Sequence, residues 1–380
     1  MPHIDIPAER CFGCSACVSV CPHDAIVMRP DVMGFLFPNV DPSKCTDCGL
    51  CERSCPSIKR PALDGRIERP LIYAARHKDM REVETSRSGA VFVALSDCVL
   101  NDGGSVYGAT LTDDMKIAHC RAVDRAGRDR FKGSKYVQSD MGHIFNEIKK
   151  ELKAGRSVMF SGTPCQTAGL NSFLSDSLKK RLTLVDIVCH GVPAPGIWDD
   201  YLRYIRKKYG KKVTGVDFRN KKYGWAAHVG TISLKCGESI DSILFRDLFF
   251  AGLIVRKSCF SCPFANTYRP ADITLGDFWG WEKLGIDINK DDKGLSLVIC
   301  NTEKGKNLLA VAGDMLTTYE TSVDMCLQPN LVSPTKEPED RTGFEEYYGK
   351  NGFKAALEKY GFVKPERNIM ERIKQIIKIR

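Results

Sequence analysis

Two runs of cysteine near the start of the chain have the spacing of metal ligands. The first has cysteines at positions 11, 14, 17 and 21 and ends in Pro22, and the second repeats that spacing from Cys45 to Pro56. A Cys-x2-Cys-x2-Cys-x3-Cys-Pro run is typical of ferredoxins with two 4Fe–4S clusters, in which the fourth cysteine of each run ligates the other cluster. The repeat therefore predicts two crossed ligand sets, Cys11, Cys14, Cys17 with Cys55, and Cys45, Cys48, Cys51 with Cys21. Clusters of this kind move single electrons.

The alternatives for these two runs are a double zinc site and a disulfide framework. Zinc modules use paired CxxC motifs rather than four-cysteine runs that end in Cys-Pro. The chain has 17 cysteines, an odd number, and its first residues lack the basic start and apolar stretch of a secretory signal. Iron–sulfur ligation is therefore the prediction. Gly13 and Gly49 are expected to let the backbone approach the inorganic sulfides.

Four further cysteines lie in positions that suit ligation. Cys165 in SGTPCQ and Cys189 in VCHG each follow a predicted strand, and Cys259 and Cys262 form a CxxC pair. Four thiolates at such positions could bind a third cluster or zinc, or act as a redox dithiol. The remaining five are expected to be small buried hydrophobic residues: Cys98, Cys120, Cys236, Cys300 and Cys326.

Alternating strands and helices must position these cysteines. Strands are predicted at 71–75, 105–111, 116–123, 157–160 and 182–188, and helices at 89–101, 144–154 and about 195–209. Strand–loop–helix units predict parallel strands, whose ligands lie beyond the carboxyl ends. Cys165 and Cys189 both lie at such ends. Residues 57–70 contain prolines and a glycine without periodicity and are predicted to be a linker.

The predicted fold class is α+β / α/β, with a bacterial two-4Fe–4S ferredoxin domain followed by a mixed α/β body. We divide the chain into a ferredoxin domain at 1–60, a first part of the body at 71–155, a second part with the additional cysteines at 156–330, and a basic helical tail at 331–380. The end of the tail, with isoleucines at 369, 373, 376 and 377, is expected to form an amphipathic helix. It either packs on the body or docks on a partner or an anionic membrane surface.

Charge and hydropathy exclude several classes of protein. The formal net charge is +9, but residues 1–60 hold six Lys or Arg and seven Asp or Glu, so the cysteine-rich head is not a basic nucleic-acid module. No apolar run approaches the roughly 18 residues of a membrane helix. We therefore expect a soluble, cytoplasmic protein without a transmembrane segment and without a nucleic-acid partner.

Seven segments of the body carry long and varied motifs: RSGAVFVAL (87–95), GSKYVQSD (133–140), SGTPCQTAGL (161–170), VDIVCHGVPAPGIW (185–198), FRNKKYGW (218–225), SCFSCPFANTYRPADITLGDFWG (258–280) and DDKGLSLVICNTEKG (291–305). These motifs resemble the coenzyme F-420 hydrogenase/dehydrogenase beta-subunit family, in particular its bacterial members with an N-terminal ferredoxin domain. The resemblance covers about residues 3–330. It implies bound FAD and a third 4Fe–4S cluster whose ligands are Cys165, Cys189, Cys259 and Cys262.

No GxGxxG motif follows a strand, so a Rossmann nucleotide site is not predicted. The candidate contacts to the flavin are therefore taken from the motifs that carry the resemblance. Ser88 and Gly89 lie at a predicted helix start, where free N–H groups favour phosphate. Lys135 offers a cation and Tyr136 an aromatic ring for stacking. Three further candidates end a strand beside Cys165, namely Ser161, Gly162 and Thr163.

A few positions near these candidates carry secondary hypotheses. His190 is either a donor to a cluster or flavin or a structural histidine, and Asp277 and Arg269 are expected to fix a loop over the third cluster. The family pattern favours Ser-Gly-Gly where this chain has Ala90 as the third residue, which puts a backbone contact to flavin in question. No residue is predicted to be a catalytic acid or base.

These residues together predict an iron–sulfur flavoprotein oxidoreductase. Flavins convert between single electrons and hydride pairs, so electrons would pass between the ferredoxin-type clusters and FAD. The resemblance implies hydride exchange with the deazaflavin coenzyme F-420 or another organic substrate, with ferredoxin or another redox protein as partner. The alternative is a non-catalytic electron-transfer subunit of a larger redox complex.

Overall fold

The computed structural model describes residues 4–364, and the predicted amphipathic helix after residue 368 lies outside them. Its strands are β1 Ile26–Pro30, β2 Leu36–Val40, β3 Arg66–His77, β4 Ser105–Leu111, β5 Ile117–Ala122, β6 Val158–Gly162, β7 Leu182–Ile187, β8 Val213–Asp217, β9 Gly230–Leu234, β10 Ser239–Ser242, β11 Ile273–Asp277, β12 Ser296–Thr302 and β13 Leu316–Thr321. Its α-helices are α1 Ala16–Val20, α2 Leu50–Arg53, α3 Met80–Thr85, α4 Val91–Asn101, α5 Arg125–Asp129, α6 Ile144–Lys153, α7 Pro164–Phe173, α8 Asp176–Lys179, α9 Pro195–Tyr209, α10 Leu244–Phe250, α11 Glu303–Val311, α12 Val323–Cys326 and α13 Arg341–Lys359.

An eight-stranded mixed sheet organises the body, in the order β13-β3-β12-β11-β7-β6-β4-β5. The pairs β4–β6, β6–β7 and β7–β11 are parallel, and the others are antiparallel. Gly162 at the end of β6 lies opposite Asp186 near the end of β7. The segments that carry Cys165 and Cys189 therefore leave the sheet side by side, and the predicted α/β body is confirmed.

Helices cover both faces of this sheet because side chains alternate along its strands. In β6, Met159 points into a core with α4 and α11, whereas Val158 and Phe160 point into a core with α6 and α7. A third core lies beside the sheet, where α9, α10 and α13 pack against the small antiparallel sheet β10-β9-β8. The sheet draws strands from both 71–155 and 156–330.

The predicted linker at 57–70 is wrong in its last part, because β3 begins at Arg66. Pro70 lies within β3 where the β3–β12 pairing shifts register between Cys300 and Thr302. Proline lacks an N–H to donate, and an irregularity in the ladder removes the need for that donor. The predicted helix at 89–101 begins two residues later, at Val91.

The ferredoxin-like head consists of the β1–β2 hairpin with α1 and α2, and it packs directly on the body. The tip of the hairpin contacts the start of α9, where the Gly196 N–H donates to the Met33 carbonyl at 2.8 Å. Helix α1 packs against α7. In residues 4–364 no helix is long and apolar enough to cross a membrane.

Candidate functional site

The eight cysteines of the head line two separate cavities. One, of about 340 Å³, is bordered by Cys11, Cys14, Cys17 and Cys55. The other, of about 390 Å³, is bordered by Cys21, Cys45, Cys48 and Cys51. These are the crossed sets that the repeat predicts, so the thiols present fit two cubane clusters. We call them the inner and the outer cluster site.

All 17 cysteines are free thiols. Among the described residues, no group of three or more His, Cys, Asp or Glu side chains converges in the way that a single metal ion requires.

The cluster loops use left-handed backbone at equivalent positions of the two repeats. Gly13 and Asp47 have φ of 64° and 62°, and Ser15 and Gly49 have φ of 63° and 66°. Each copy of the repeat thus has two left-handed positions. Glycine occupies the first of them in the first copy and the second of them in the second copy. At Gly13 a Cβ would lie 2.8 Å from Nε2 of Gln138, so a larger residue would displace that side chain.

The body brings its four candidate ligands together as one group, the third thiol set. Cys165 lies in the first turn of α7, whose N-terminus is closed by a capping box between Thr163 and Gln166. Burial, then the thiols of Cys165 and Cys262, raises the pKa of Cys189 to about 12. The pKa of Cys259 is raised by burial and by the other three thiols. A buried thiolate needs a compensating cation, so this set fits a metal cluster.

The inner cluster site and the third thiol set adjoin each other. The ring of Phe12 packs with Phe264 at 5.6 Å between centroids, in a small core that includes Cys165 and Cys262. Burial raises the pKa of Cys14, and Cys165 is among the neighbouring thiols that raise it further. The outer cluster site lies farther toward solvent, and its Cys48 is exposed.

A cavity of about 2050 Å³ lies at the carboxyl ends of the parallel strands. Cys189 borders it, as do six of the seven predicted flavin residues, namely Ser88, Lys135, Tyr136, Ser161, Gly162 and Thr163. About 530 Å³ of this space can be occupied by water-sized molecules, which is within the usual range of about 300–1,000 Å³ for a single-ligand pocket. We call it the strand-end cavity.

Gly89 is the predicted flavin residue that lies behind the cavity wall. Its N–H donates to Ser296 Oγ at 2.9 Å, and its carbonyl accepts from the His77 N–H at 2.7 Å. A Cβ at this position would lie 2.3 Å from the Ala75 carbonyl. Glycine is therefore needed here for the packing of the loop on β3 and β12. The next residue, Ala90, lines the cavity in a left-handed conformation with φ of 61°, which glycine would adopt without strain.

The Lys135 amine is engaged by its own loop although the residue lines the cavity. It donates to the carbonyls of Arg130 at 2.9 Å, Lys132 at 2.8 Å and Gly133 at 3.2 Å. Burial lowers the pKa of Lys135 to about 7. Its placement favours a role in shaping the loop that carries Tyr136, whose ring packs against Phe249 at 5.6 Å.

Two buried guanidinium groups in the cavity wall escaped sequence reasoning. Arg219 pairs with Asp277 at 2.7 Å, whereas Arg87 forms no ion pair within residues 4–364 and donates to the carbonyls of Arg219 and Trp225. Burial, then the Arg219 charge, lowers the pKa of Arg87 to about 10. Nε of Arg87 is buried without a hydrogen-bond partner. The uncompensated charge fits an anionic group such as a dinucleotide pyrophosphate.

The three residues of the secondary hypotheses lie in different places in the structure. Asp277 lies in the cavity wall rather than over the third thiol set. Arg269 forms a buried pair with Asp186 at 3.2 Å and donates to the carbonyl of Phe264, two residues after Cys262, so it does hold that loop. His190 borders the cavity with a buried Nε2 that lacks a partner.

The five isolated cysteines are not all buried, contrary to the prediction. Cys300 and Cys326 are buried and Cys98 and Cys120 are half-buried. The prediction is wrong for Cys236, which is exposed in the turn between β9 and β10 with φ of 79°. The apolar strand before it is misleading, because the chain reverses immediately after that strand.

Comparison with known proteins agrees with this arrangement. Residues 155–323 match the family model for the C terminus of the coenzyme F420 hydrogenase/dehydrogenase beta subunit, and residues 10–58 match the 4Fe-4S dicluster domain. The resemblance to this beta-subunit family is confirmed over residues 155–323, and the ferredoxin-type motif over residues 10–58. The third thiol set spans Cys165 to Cys262 and lies within the beta-subunit match, and the inner and outer cluster sites lie within the dicluster match.

Individual relatives match parts of the chain. An uncharacterised protein of Methanocaldococcus jannaschii is 24% identical over 198 residues, which is 44% of this chain and 53% of that protein. One subunit of the Na(+)-translocating ferredoxin:NAD(+) oxidoreductase complex of Acetobacterium woodii is 50% identical over 46 residues, 12% of this chain and 13% of its own length. The chain thus spans about half of one relative and a small part of the other.

Among solved structures, the F420-reducing [NiFe] hydrogenase complex of Methanosarcina barkeri contains a similar chain. The TM-score is 0.47 at 16% identity, with 78% of this chain and 91% of that chain covered.

Proposed function

We propose that this chain is an iron–sulfur flavoprotein oxidoreductase that passes electrons between 4Fe–4S clusters and FAD and exchanges hydride with F-420 or another organic substrate. The observation that carries the proposal is the strand-end cavity, with about 530 Å³ of space open to water-sized molecules, which six predicted flavin residues border together with Cys189 of the third thiol set. A cluster on that set would therefore lie against the cavity. FAD, when bound, would supply the conversion between single electrons and hydride pairs.

The order of the sites supports a relay. The outer cluster site has an exposed cysteine, the inner site adjoins the third thiol set across Phe12, and the third set borders the cavity. A ferredoxin or another redox protein would dock near the exposed end of this series. The direction of net electron flow is set by the substrate and the partner.

The residues of the cavity divide the work of binding. Arg87 presents positive charge to the cavity, which favours phosphate groups. The rings of Trp279 and His228 border the cavity beside Arg219, and Trp279 is backed by the buried Trp225 at 4.6 Å between ring centroids. Planar ring systems pack well on such a wall. We assign no residue as a catalytic acid or base.

A non-catalytic electron-transfer role is the second candidate. It is favoured by the relative from Acetobacterium woodii, which is described as one subunit of an oxidoreductase complex and is 50% identical to this chain over 46 residues. Under this candidate the chain would bind its clusters but would not turn over a substrate alone.

The deciding experiment uses the full chain after anaerobic reconstitution. We expect about twelve iron atoms and one FAD per chain, and a change in F-420 absorbance when reduced ferredoxin is supplied. An Arg87→Met variant should bind FAD at least tenfold more weakly and keep its iron. Absence of FAD binding would reject the flavoprotein. FAD binding without turnover of F-420 or artificial two-electron acceptors would favour the electron-transfer role.

A further inference from the structure

Arg256 is a buried cation beside the inner cluster site. It is 1% exposed, and within residues 4–364 it forms no ion pair with a carboxylate. An unpaired buried charge is costly unless an opposite charge compensates it. The other fully buried guanidinium groups of Arg128, Arg269 and Arg341 each have a carboxylate partner.

The guanidinium of Arg256 reaches the loop of the first cluster ligand. Its Nε donates to the Cys11 carbonyl at 2.8 Å, and its Nη2 lies 3.5 Å from Cys11 Sγ. Nη2 also donates to the Leu36 carbonyl at 3.0 Å and Nη1 to Gln138 Oε1 at 2.9 Å. Gln138 in turn donates to the Phe12 carbonyl at 3.0 Å. The side chain of Arg256 thus joins the body to the loop that carries Cys11 and to the strand that carries Leu36.

The guanidinium of Arg256 is shielded from water. The guanidinium lies over the rings of Phe35 and Phe37, at 5.4 Å and 4.2 Å from their centroids. A Cβ on Gly13 would lie 2.9 Å from Nη1 of Arg256, so glycine at this position lets the cation come close. In such a dry setting the charge acts on its neighbours with little screening.

The outer cluster site has a different environment. There Arg53 donates to the Cys48 carbonyl at 2.9 Å, but this contact is exposed to solvent. Arg53 is therefore the solvent-screened counterpart of the buried Arg256.

We propose that Arg256 is the positioning residue that raises the reduction potential of the inner cluster, with the cluster and its thiolates as the counter-charge for its guanidinium. Each electron that a cluster accepts makes it more negative, and a buried cation with a hydrogen bond to a ligand sulfur stabilises that reduced form. Burial alone would make the inner cluster harder to reduce than the outer one. Arg256 opposes that difference, so an electron can pass inward from the exposed site. The inference rests on the proposed function only for the presence of the inner cluster.

The test is a potentiometric titration of the full holoprotein followed by electron paramagnetic resonance. In Arg256→Met the equilibrium for an electron between inner and outer cluster should shift at least tenfold toward the outer one, about 59 mV for one electron. The outer signal is assigned by its change in Cys48→Ser. Arg53→Met, the matched control, should shift neither cluster by that amount. An unchanged inner potential in a fully loaded Arg256→Met, or an equal shift of both clusters, would overturn the proposal.

Two further variants distinguish an effect of the Arg256 charge from a purely structural role of this residue. Gln138→Met removes the clamp on Phe12 and keeps the charge, so the inner potential should stay near that of the original protein. If Gln138→Met reproduces the shift, Arg256 acts only through loop architecture and the proposal is rejected. If Arg256→Met does not take up iron, Arg256→Gln decides, because it removes the charge but keeps a hydrogen-bond donor. Its inner potential should still fall relative to the outer one, and no change would count against the proposal.

Iron content and the cluster signals of the original protein are recorded first. Absence of the inner cluster there would contradict the cluster assignment itself. A normal cluster that does not respond to Arg256 would contradict only the role of Arg256.

Discussion

The imidazole of His119 is enclosed between the sheet and the strand-end cavity. Nε2 donates to the Ser161 carbonyl at 3.0 Å, and the Ser139 hydroxyl, which also accepts from Gln166, lies 2.9 Å from Nδ1. The ring stacks on Phe160. Burial lowers the pKa of His119 to about 4. Protonation would make Nδ1 a second donor. Nδ1 would then face the Ser139 hydroxyl, which is already arranged to donate to it.

This histidine should make stability depend on pH in the mildly acidic range. The folded pKa of about 4 is below the ordinary 6.5, so the unfolded chain takes up the proton first as pH falls. Its contribution is complete above about pH 6.5 and is lost progressively toward pH 4. Between about pH 7.5 and 5.5 we expect a loss of about 1 kcal/mol in the free energy of unfolding. Urea unfolding of His119→Gln should show a flatter pH profile, and an unchanged profile would contradict this assignment.

Cys236 occupies a backbone conformation that suits other residues better. Its φ of 79° is followed by 82° at Gly237 in the β9–β10 turn. Left-handed backbone costs an ordinary residue about 1–2 kcal/mol, and asparagine tolerates it best after glycine. Cys236→Asn should raise the free energy of unfolding by about 0.5–1 kcal/mol, and the β-branched control Cys236→Val should lower it. Equal stability of the two variants in urea would show that the turn relaxes.

At the scale of elements, the unit β6–loop–α7 determines where the third thiol set forms. The loop is short, Pro164 begins the helix, and the capping box fixes its first turn. Thr163 Oγ1 lies 3.2 Å from Cys165 Sγ. The neighbouring strand β7 delivers Cys189 to the same edge, because the two strands are parallel and in register through Gly162 and Asp186.

Removal of one thiol from this set should release one cluster and spare the others. Cys165→Ser is expected to lower the iron content by about four atoms per chain and to leave the signals of the head clusters in place. The control is Cys300→Ala, since Cys300 is buried in β12. It should keep all of its iron. Iron analysis with electron paramagnetic resonance makes the comparison, and equal iron in both variants would mean that the third set binds no cluster.

At the scale of the whole molecule, close backbone contacts attach the head to the body. Gly34 at the hairpin tip has φ of 85°, and a Cβ on it would lie 2.4 Å from the Gly196 nitrogen. A Cβ on Gly196 would lie 2.5 Å from the Met33 carbonyl. The Asn171 side chain of the body donates to the Ala62 carbonyl at 2.8 Å, in the connection after the head. The inner cluster site is thereby held against Cys165.

A methyl group at this contact should loosen the head. Gly196→Ala must displace the hairpin, and overpacking of this kind costs about 1–3 kcal/mol. We expect faster hydrogen exchange at residues 26–40 and slower electron passage from head to body, with unchanged iron. Gly313→Ala is the control, because no atom lies within 4 Å of its Cβ. If both variants exchange and transfer electrons alike, the contact does not hold the head in place.

Ligand chemistry and local periodicity determined a large part of this protein from the sequence alone. The crossed cysteine sets follow from spacing within two short segments, and the strands that carry Cys165 and Cys189 follow from apolar runs that end in loops. Such signals lie between residues close in the chain, where spacing and geometry are directly related. The long body motifs add the family, but not the contacts that each motif makes.

Only the tertiary structure decided which distant residues share a site. Arg87, Arg219 and Asp277 come from three separate segments and meet in one cavity wall, and Arg256 meets Cys11 across 245 residues of chain. The motif around Gly89 predicts a flavin contact, yet this residue lies behind the wall because the loop packs tightly on two strands. Charge pairing, burial and close backbone approach depend on the whole packed chain, and no local pattern records them.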